Sequence, residues 1–277
     1  MATNNKNHGT VLITGASSGI GRELALEFGA RAPTLVLTAR RLDRLEQLRG
    51  QLLGRYPGLT VVVLAADLSD EHEASRLLAR VFEQAGAVEV LVNNAGLGDS
   101  VLFDRAEWAR TRQILWTNIF AVAQLTSALV PGMVERRRGG VLNIGSGAGV
   151  TVLPNAAAYV GSKHFIAGLS EALPADLSGT GVTVTQVCPG LVESEFDQVS
   201  NSPGGMVGAP PARFFRISAA QCAREAVAGF ERGEARVFPG RGYRFVMRML
   251  PLLPLWLRRK QVAKAAARID QEKIGNG

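Results

Sequence analysis

Short apolar runs alternate with longer segments of helical period along most of this sequence. Runs such as TVVVLA, residues 60–65, are apolar throughout, which is typical of strands buried on both faces of a sheet. The segments between these runs carry apolar residues at helical spacing, so helices can cover both faces. The sequence therefore predicts an α/β fold, a doubly wound parallel sheet in a single domain over residues 1–277. The predicted strands are 10–14, 34–38, 60–64, 88–93, 140–144, 182–187 and 236–238, and the predicted helices are 20–31, 42–53, 71–84, 107–137, 155–177 and 218–231.

Composition excludes several classes of protein. The polar start MATNNKNHGT has no signal-peptide pattern, and Cys188 and Cys222 lie far apart, so we expect a cytoplasmic protein without disulfides. The histidines His8, His72 and His164 lack ligand-like spacing, which predicts no metal site. The formal net charge is +7, but the arginines are distributed and no aromatic residues interleave with them. We therefore expect no nucleic-acid binding.

A glycine-rich turn follows the first predicted strand. It reads TGASSGIG, residues 14–21, and a predicted helix begins at once. Glycines at these positions permit a tight turn and close backbone approach, and the helix N-terminus attracts an anion such as a pyrophosphate. The turn thus predicts a dinucleotide site, with a tight connection that binds nothing as the alternative.

Tyr159 and Lys163 form a YxxxK pair at positions i and i+4 of a predicted helix, which puts both side chains on one face. A tyrosine hydroxyl titrates near ~10, and a neighbouring ammonium lowers that pKa by favouring the phenolate. The pair therefore predicts proton transfer near neutral pH, although the same spacing also arises on partly exposed helix faces.

Two more polar residues extend this pair. Ser146 lies just past the fifth predicted strand, and the following loop leads into the helix that carries Tyr159. A strand end and the start of its crossover helix meet at one sheet edge, so the serine and tyrosine hydroxyls can share a carbonyl oxygen. Asn118 lies inside the long helix after the fourth strand, where a lone asparagine is more often a structural hydrogen-bonding residue.

These features come in one order over nearly the whole chain, and together they resemble the short-chain dehydrogenase/reductase family. The resemblance rests on TGASSGIG, on NNAG at 93–96, on the Ser–Tyr–Lys set and on PG at 189–190. It implies a Rossmann-like fold and hydride transfer between a nicotinamide cofactor and a carbonyl or alcohol. It also implies roles for four residues: Tyr159 exchanges the proton, Ser146 orients the carbonyl, Lys163 binds the nicotinamide ribose and lowers the tyrosine pKa, and Asn118 holds a water that connects to the lysine.

The end of the second strand predicts which nicotinamide cofactor binds. It reads LVLTARR, with Arg40 and Arg41 at its end and no carboxylate before Asp43. An Asp or Glu there would bond the ribose 2′-hydroxyl of NAD, whereas arginine suits the 2′-phosphate of NADP(H). NADP(H) is therefore favoured, with solvated loop charges as the alternative. The predicted cofactor-binding residues are Gly15, Ser17, Ser18, Gly19, Ile20, Gly21, Arg40, Arg41, Asp67, Leu68, Asn94, Ala95, Gly96, Tyr159, Lys163, Pro189, Gly190, Val192 and Ser194.

Ser194 departs from the family pattern, which often has threonine there, but its hydroxyl can still bond the nicotinamide carboxamide.

The expected substrate pocket is predominantly apolar, which predicts a hydrophobic carbonyl compound or its alcohol as substrate. Residues 191–217 contain a Gly/Pro-rich stretch after the sixth strand and are expected to form a substrate lid. The expected pocket residues are Leu97, Leu102, Phe103, residues 150–153 and residues 191–215.

The C-terminal extension, residues 240–277, contains an apolar segment at 243–260. Pro251 and Pro254 interrupt it, and we expect no segment of the chain to be long enough to span a bilayer. We expect it to cover the substrate pocket or a subunit interface, because an exposed apolar patch of this size would be a liability. Weak contact with a membrane surface is the rival. The resemblance implies a homodimer or homotetramer that associates through the helices of Asn118 and Tyr159, with a monomer as the alternative.

Two alternative functions also remain open. One is a noncatalytic NADP-binding regulatory protein, which would typically have lost part of the Ser–Tyr–Lys–Asn set. The other is a peripheral membrane reductase acting on lipid-like ketones.

Overall fold

The computed structural model describes residues 8–193, 195–196 and 216–252, together with residues 254, 256, 260, 262 and 263. Seven strands form one parallel sheet in the order β3-β2-β1-β4-β5-β6-β9, and β7 pairs with β8 in a separate two-stranded sheet. The strands are β1 Thr10–Thr14, β2 Thr34–Ala39, β3 Thr60–Ala65, β4 Val90–Asn93, β5 Gly139–Ile144, β6 Val182–Val187, β7 Val192–Glu193, β8 Ile217–Ser218 and β9 Arg236–Val237. The predicted doubly wound parallel sheet is confirmed.

Helices cover both faces of the large sheet. They are α1 Gly19–Gly29, α2 Leu42–Arg55, α3 Glu73–Ala85, α4 Trp108–Leu115, α5 Ala121–Glu135, α6 Ala157–Asp176, α7 Ala219–Glu231 and α8 Arg241–Met249. β1 shows why both faces need cover: Val11 and Ile13 join a core with α1, α2 and α7, while Leu12 joins a second core with α3 and α5. All three side chains are fully buried, as the continuous apolar run predicts.

The long helix predicted at 107–137 is not a uniform α-helix. Between α4 and α5 the backbone takes one π-helical segment, Trp116–Phe120, which contains the buried Thr117 and Asn118. The prediction of a single regular helix is wrong here, because apolar spacing that suits an α-turn also suits a π-turn and carries no signal for the change. π-Segments inside helices often accompany functional sites.

The same helical stretch corrects the expectation that no segment is long enough to span a bilayer. Trp108–Glu135 is long and apolar enough, by length and composition, to meet the test for a membrane-spanning helix. In this fold its apolar residues pack in the interior: Ile114, Leu125 and Met133 are buried, and α5 packs on β4 and β5. Core helices of globular proteins meet the same test.

The strand order reverses between β1 and β4. The chain runs from β1 outward to β3 in one direction and from β4 outward to β9 in the other, so the loops after β1 and β4 diverge. Ligands of open parallel sheets bind outside the carboxyl ends of the strands at such a point. The fold therefore places the loops after β1, β2, β4, β5 and β6 around one crevice.

Candidate active site and cofactor cleft

One cleft occupies the carboxyl edge of the sheet at the β1–β4 crossing. It runs from the loops after β1 and β2, past β4, to the start of α6 and the loop after β6. Its lining contains most of the residues that the sequence singled out. The lining residues are Gly15, Ser17, Ser18, Gly19, Ile20, Thr38, Ala39, Arg40, Arg41, Ala66, Asp67, Leu68, Asn94, Ala95, Gly96, Leu97, Thr117, Ile144, Gly145, Ser146, Tyr159, Lys163, Pro189, Gly190, Leu191, Val192, Glu195 and Phe196.

The glycine turn has the conformation that its spacing predicts. Gly15 has a φ of +67°, and a Cβ there would lie 2.8 Å from the Cα of Ala95. Gly21 does not line the cleft; a Cβ on it would lie 2.4 Å from the carbonyl oxygen of Gly15, so its role is close packing of α1. These glycines bring the start of α1 against the cleft.

The loop after β4 is hydrogen-bonded to the same turn. The Thr14 hydroxyl accepts the backbone N–H groups of Asn94 at 3.0 Å and Ala95 at 2.9 Å. The side-chain amide of Asn94 donates to the carbonyls of Thr14 and Gly15. Asn93, buried behind the cleft, donates to Asn143 and Thr126. The NNAG sequence therefore fixes β4 to β1 and β5 at the point where the strand order reverses.

Arginines gather at the end of the cleft beside β2. Arg41 Nη2 donates to Ser18 Oγ at 2.9 Å and to Ser17 Oγ at 3.2 Å, so its guanidinium lies against the glycine turn. Arg40 is exposed and lines the cleft, and it forms no hydrogen bond or ion pair with another described residue. The structure thus brings Arg40 and Arg41, the two arginines of the LVLTARR pattern, to this end of the cleft.

A carboxylate that the sequence analysis did not single out also lies there. Glu195 accepts hydrogen bonds from Arg41 at 3.0 Å and from Arg44 at 2.6 Å. These two guanidinium groups hold the pKa of Glu195 below its usual range, so it is ionised at neutral pH. No local pattern connects Glu195 to arginines about 150 positions away in sequence. The contact exists only because the segment after β6 folds back across the cleft.

Asp67 and Leu68 border the cleft after β3. Leu68 is buried, while the exposed Asp67 carboxylate accepts hydrogen bonds from the backbone N–H and the hydroxyl of Ser69. These bonds fix the turn after β3 in the position where the resemblance places the adenine ring. Thr38 and Thr117 also line the cleft, and each has a buried hydroxyl without a partner among the described residues.

Tyr159 and Lys163 are both buried on one face of α6 and line the opposite end of the cleft. Lys163 Nζ lies 5.8 Å from the centroid of the Tyr159 ring and donates to the carbonyl oxygen of Ile144 at 3.0 Å. Burial lowers the pKa of Lys163 to about 8. The neighbouring Cys188 stays a neutral thiol, because burial raises its pKa to about 12. The ammonium thus lies beside the tyrosine without a carboxylate partner among the described residues.

Ser146 begins the turn that follows β5. Its Oγ accepts the N–H of Ala148 at 3.1 Å, and its side chain is buried at the cleft wall with Tyr159. The hydrogen bond uses a lone pair of the hydroxyl and leaves its proton available for a ligand oxygen. The structure thus brings Ser146, Tyr159 and Lys163 to one end of the cleft.

Asn118 does not line the cleft but lies directly behind it. Its side-chain amide bonds both the N–H and the C=O of Leu97 at 2.8 Å and donates to Ser162 at 2.9 Å. A Cβ placed on Gly96 would lie 3.6 Å from Asn118 Oδ1 and 3.5 Å from Lys163 Nζ, so both side chains border the same backbone position. Asn118 therefore fixes the loop after β4 against α6.

The loop after β6 closes the cleft on the tyrosine side. Pro189, Gly190 and Val192 line it as predicted, while Ser194 and residues 197–215 lie outside the described residues. The Pro189 carbonyl accepts the N–H of Gly147 at 2.9 Å, which joins this loop to the loop of Ser146. Tyr243 of α8 packs under both loops, since a Cβ on Gly190 would lie 2.8 Å from its ring.

The expected apolar pocket is present only in part. Leu97, Leu191, Val192 and Phe196 line the cleft, and the Phe196 ring lies 5.8 Å from the ring of Tyr159. Other expected pocket residues do not line it: Leu102, Phe103 and residues 150–153. Phe103 lies in a short surface turn and is 68% exposed, because the loop after β4 turns outward there.

Comparisons with known proteins agree on the kind of protein that carries such a cleft. A family model described as short chain dehydrogenase matches residues 9–203. An uncharacterized oxidoreductase of Myxococcus xanthus is 39% identical over 194 residues, covering 70% of this chain and 76% of the relative. A sulfoacetaldehyde reductase of Chromohalobacter salexigens is 39% identical over 194 residues, covering 68% of this chain and 74% of the relative. A short-chain dehydrogenase of Sphingobium yanoikuyae, solved with NADPH, superposes with a TM-score of 0.75 at 29% identity and covers 95% of each chain.

Proposed function

Because this chain belongs to the short-chain dehydrogenase/reductase family, we propose that it is an NADP(H)-dependent oxidoreductase that interconverts a hydrophobic carbonyl compound and its alcohol. The observation that supports this most directly is the continuity of one cleft. It joins an arginine-rich end beside the glycine turn to a buried tyrosine, lysine and serine. A nicotinamide dinucleotide needs both ends, one for its phosphates and one for its reacting ring.

The residues of the cleft fit such a cofactor. The left-handed Gly15 lets the backbone approach a ligand closely, and the N-terminus of α1 with Ser17 and Ser18 offers donors to a pyrophosphate. At the other end, Lys163 Nζ is directed to the cleft wall beside Ile144 and can donate to ribose hydroxyls. The preference for NADP(H) is supported by Arg40 and Arg41, because guanidinium groups match a phosphate with paired hydrogen bonds.

The chain's own residues supply proton transfer and orientation. We propose that Tyr159 donates its hydroxyl proton to the substrate oxygen and that Ser146 donates a hydrogen bond to the same oxygen. Lys163 stabilises the resulting tyrosinate by its positive charge 5.8 Å from the ring centroid. Asn118 keeps the loop of Leu97 and the helix of Ser162 in place behind them. When bound, the reduced nicotinamide supplies the hydride.

The proposed substrate class follows from the lining at the tyrosine end. Leu97, Leu191, Val192 and Phe196 present mainly apolar surface, which favours a hydrophobic carbonyl compound over a charged one. The relative that reduces sulfoacetaldehyde acts on a small anion, so that substrate serves as a useful contrast. A panel of ketones and aldehydes, followed by NADPH absorbance, measures the preference directly.

We further propose that the protein is cytoplasmic and forms a homodimer or homotetramer. Support for assembly comes from large aromatic side chains exposed on the helical layer of α4 to α6. Trp108 is 69% exposed and Phe120 is 50% exposed, and a second copy would bury such surface.

The central test is Tyr159→Phe. Removal of the hydroxyl leaves the ring to pack against Phe196, so we expect NADPH affinity to stay within about twofold while turnover falls by about 10²- to 10⁴-fold. Steady-state kinetics with the best substrate of the panel and a fluorescence titration of NADPH measure the two effects. Phe103→Leu, on the exposed surface turn, is the matched control. Retention of more than about a tenth of wild-type turnover would contradict a proton-transfer role for Tyr159.

A further inference from the structure

Glu195 places a negative charge in the part of the cleft that suits an anion. Its Oε1 accepts from Arg44 at 2.6 Å, and its Oε2 accepts from Arg41 at 3.0 Å and from Arg44 at 2.8 Å. Both carboxylate oxygens are therefore held by guanidinium groups. The carboxylate lines the same cleft as Ser17, Ser18 and Arg40.

Arg41 is shared between this carboxylate and the glycine turn. Its Nη1 donates to Glu195, while its Nη2 donates to the hydroxyls of Ser17 and Ser18. A phosphate group that uses Arg41 must therefore either displace Glu195 or bind next to it. The second arrangement places the phosphate and the Glu195 carboxylate on one guanidinium, where their like charges repel each other.

Arg41, Arg44 and Glu195 are all partly exposed, so a ligand anion can replace these ion pairs readily. The side chains of Arg41, Arg44 and Glu195 have exposed fractions of 39%, 39% and 40%. Exposed pairs of this kind contribute little to folding stability. Glu195 is thus poorly explained as a stabilising contact. Its position at the anion end of the cleft calls for a role in binding.

We infer that Glu195 acts as an internal counter-anion for Arg41 and Arg44 that competes with the 2′-phosphate of NADP(H) and so limits the preference for NADP(H) over NAD(H). The inference rests on the proposed function, because it assigns the adenosine end of the cofactor to these arginines. A cofactor without the 2′-phosphate leaves the Glu195 ion pairs intact. A cofactor with it exchanges them for phosphate contacts.

Glu195→Gln tests this inference, because it removes the charge and keeps the size of the side chain. We expect NADPH and the fragment 2′,5′-ADP to bind about threefold to tenfold more tightly, since the competing charge is gone. NADH and 5′-AMP should change by less than about twofold. Isothermal titration calorimetry with the four ligands on the full chain measures these values without any turnover. Glu193→Gln, on the exposed strand residue two positions earlier, is the matched control.

The outcomes separate this inference from the proposed function. Wild-type protein that binds NADPH no better than NADH contradicts the proposed cofactor preference. In that case 2′,5′-ADP and 5′-AMP still test the role of Glu195. A selective gain in affinity for 2′,5′-ADP in Glu195→Gln supports that role. Unchanged or weaker 2′,5′-ADP binding in Glu195→Gln, or an equal gain in Glu193→Gln, overturns it.

Discussion

At the scale of single residues, two neighbouring arginines have different surroundings. Arg41 is held by Ser17, Ser18 and Glu195, whereas Arg40 is exposed at the cleft with no partner among the described residues. The sequence predicts that both face an anion but cannot distinguish them, because the contacts of Arg41 come from the glycine turn and from the segment after β6. A ligand can therefore use the charge of Arg40 without displacing an existing ion pair or hydrogen bond.

Arg40→Asp tests the cofactor preference at this position. Replacing attraction by repulsion at the 2′-phosphate should weaken NADPH binding by about tenfold to hundredfold, as expected for a charged hydrogen bond, and NADH binding by no more than about threefold. Fluorescence titration of both cofactors gives the ratio. Arg49→Asp makes the same charge change on the exposed face of α2, so it controls for the effect of net charge on cofactor binding. An unaltered ratio would mean that other residues bind the 2′-phosphate.

At the scale of elements, α8 supports two loops of the proposed active site. The Tyr243 ring lies against Gly190, and its hydroxyl lies close to Gly147 and 3.4 Å from the carbonyl oxygen of Pro189. On the other side of α8, Phe245 is 67% exposed. α8 lies beyond the residues that the family model matches, so this support is supplied by the C-terminal extension. We propose that the extension serves the pocket through Tyr243.

Tyr243→Ala should therefore impair catalysis indirectly, by loosening the two loops that Tyr243 supports. Loss of the ring leaves a cavity beneath the loops of Ser146 and Gly190, and a misplaced catalytic group costs up to about 10²-fold in rate. We expect kcat/KM for the carbonyl substrate to fall by about tenfold or more, while NADPH affinity changes by less than about threefold. Truncation after Gly240 removes the same ring and should also raise KM. Phe245→Ala on the outer face is the control, and an equal loss in that variant would assign the effect to α8 as a whole.

The sequence predicts elements better than it predicts their internal irregularities. Strands β1 to β5 follow from short, largely apolar runs, and the YxxxK pair follows from helical spacing. The π-segment at Trp116–Phe120 does not, because it changes hydrogen-bond register without changing which residues are apolar. The Glu195–Arg44 contact does not follow from sequence either, since it joins distant segments through tertiary structure alone. In each case the missing information lies in backbone geometry or in long-range packing.

At the scale of the whole molecule, Lys163 is a charge placed inside the core. Burial lowers its pKa to about 8 from an ordinary value of 10.5, so the folded state holds this proton less tightly than the unfolded state. Between these two values the unfolded chain binds more protons at this site, and the free energy of unfolding therefore rises with pH. Below about pH 8 the lysine is charged in both states and its full cost is present. The protein thus retains a destabilising group at its proposed catalytic centre.

Lys163→Met makes this cost measurable. The pKa difference corresponds to about 3 kcal/mol, so we expect the variant to be more stable than the wild type by up to that amount at pH 7. The gap should narrow from pH 8 to pH 10.5 as the wild-type lysine loses its proton, because groups common to both proteins cancel in the comparison. Urea unfolding at several pH values without cofactor provides the curves. A stability difference that stays constant over this range would show that the lysine is not desolvated in the folded state.

The pairing of β1 with β4 determines when the cleft can form during synthesis. Val11 pairs with Val90, so the glycine turn leaves the ribosome long before the strand beside it. Until then the Thr14 hydroxyl lacks the N–H groups of Asn94 and Ala95 that hold it in place. β1 can pair first only with β2, and contacts between distant segments form slowly. The nascent chain therefore exposes the glycine turn before the rest of the cleft exists, and cofactor binding has to wait at least until translation has passed the β4 loop.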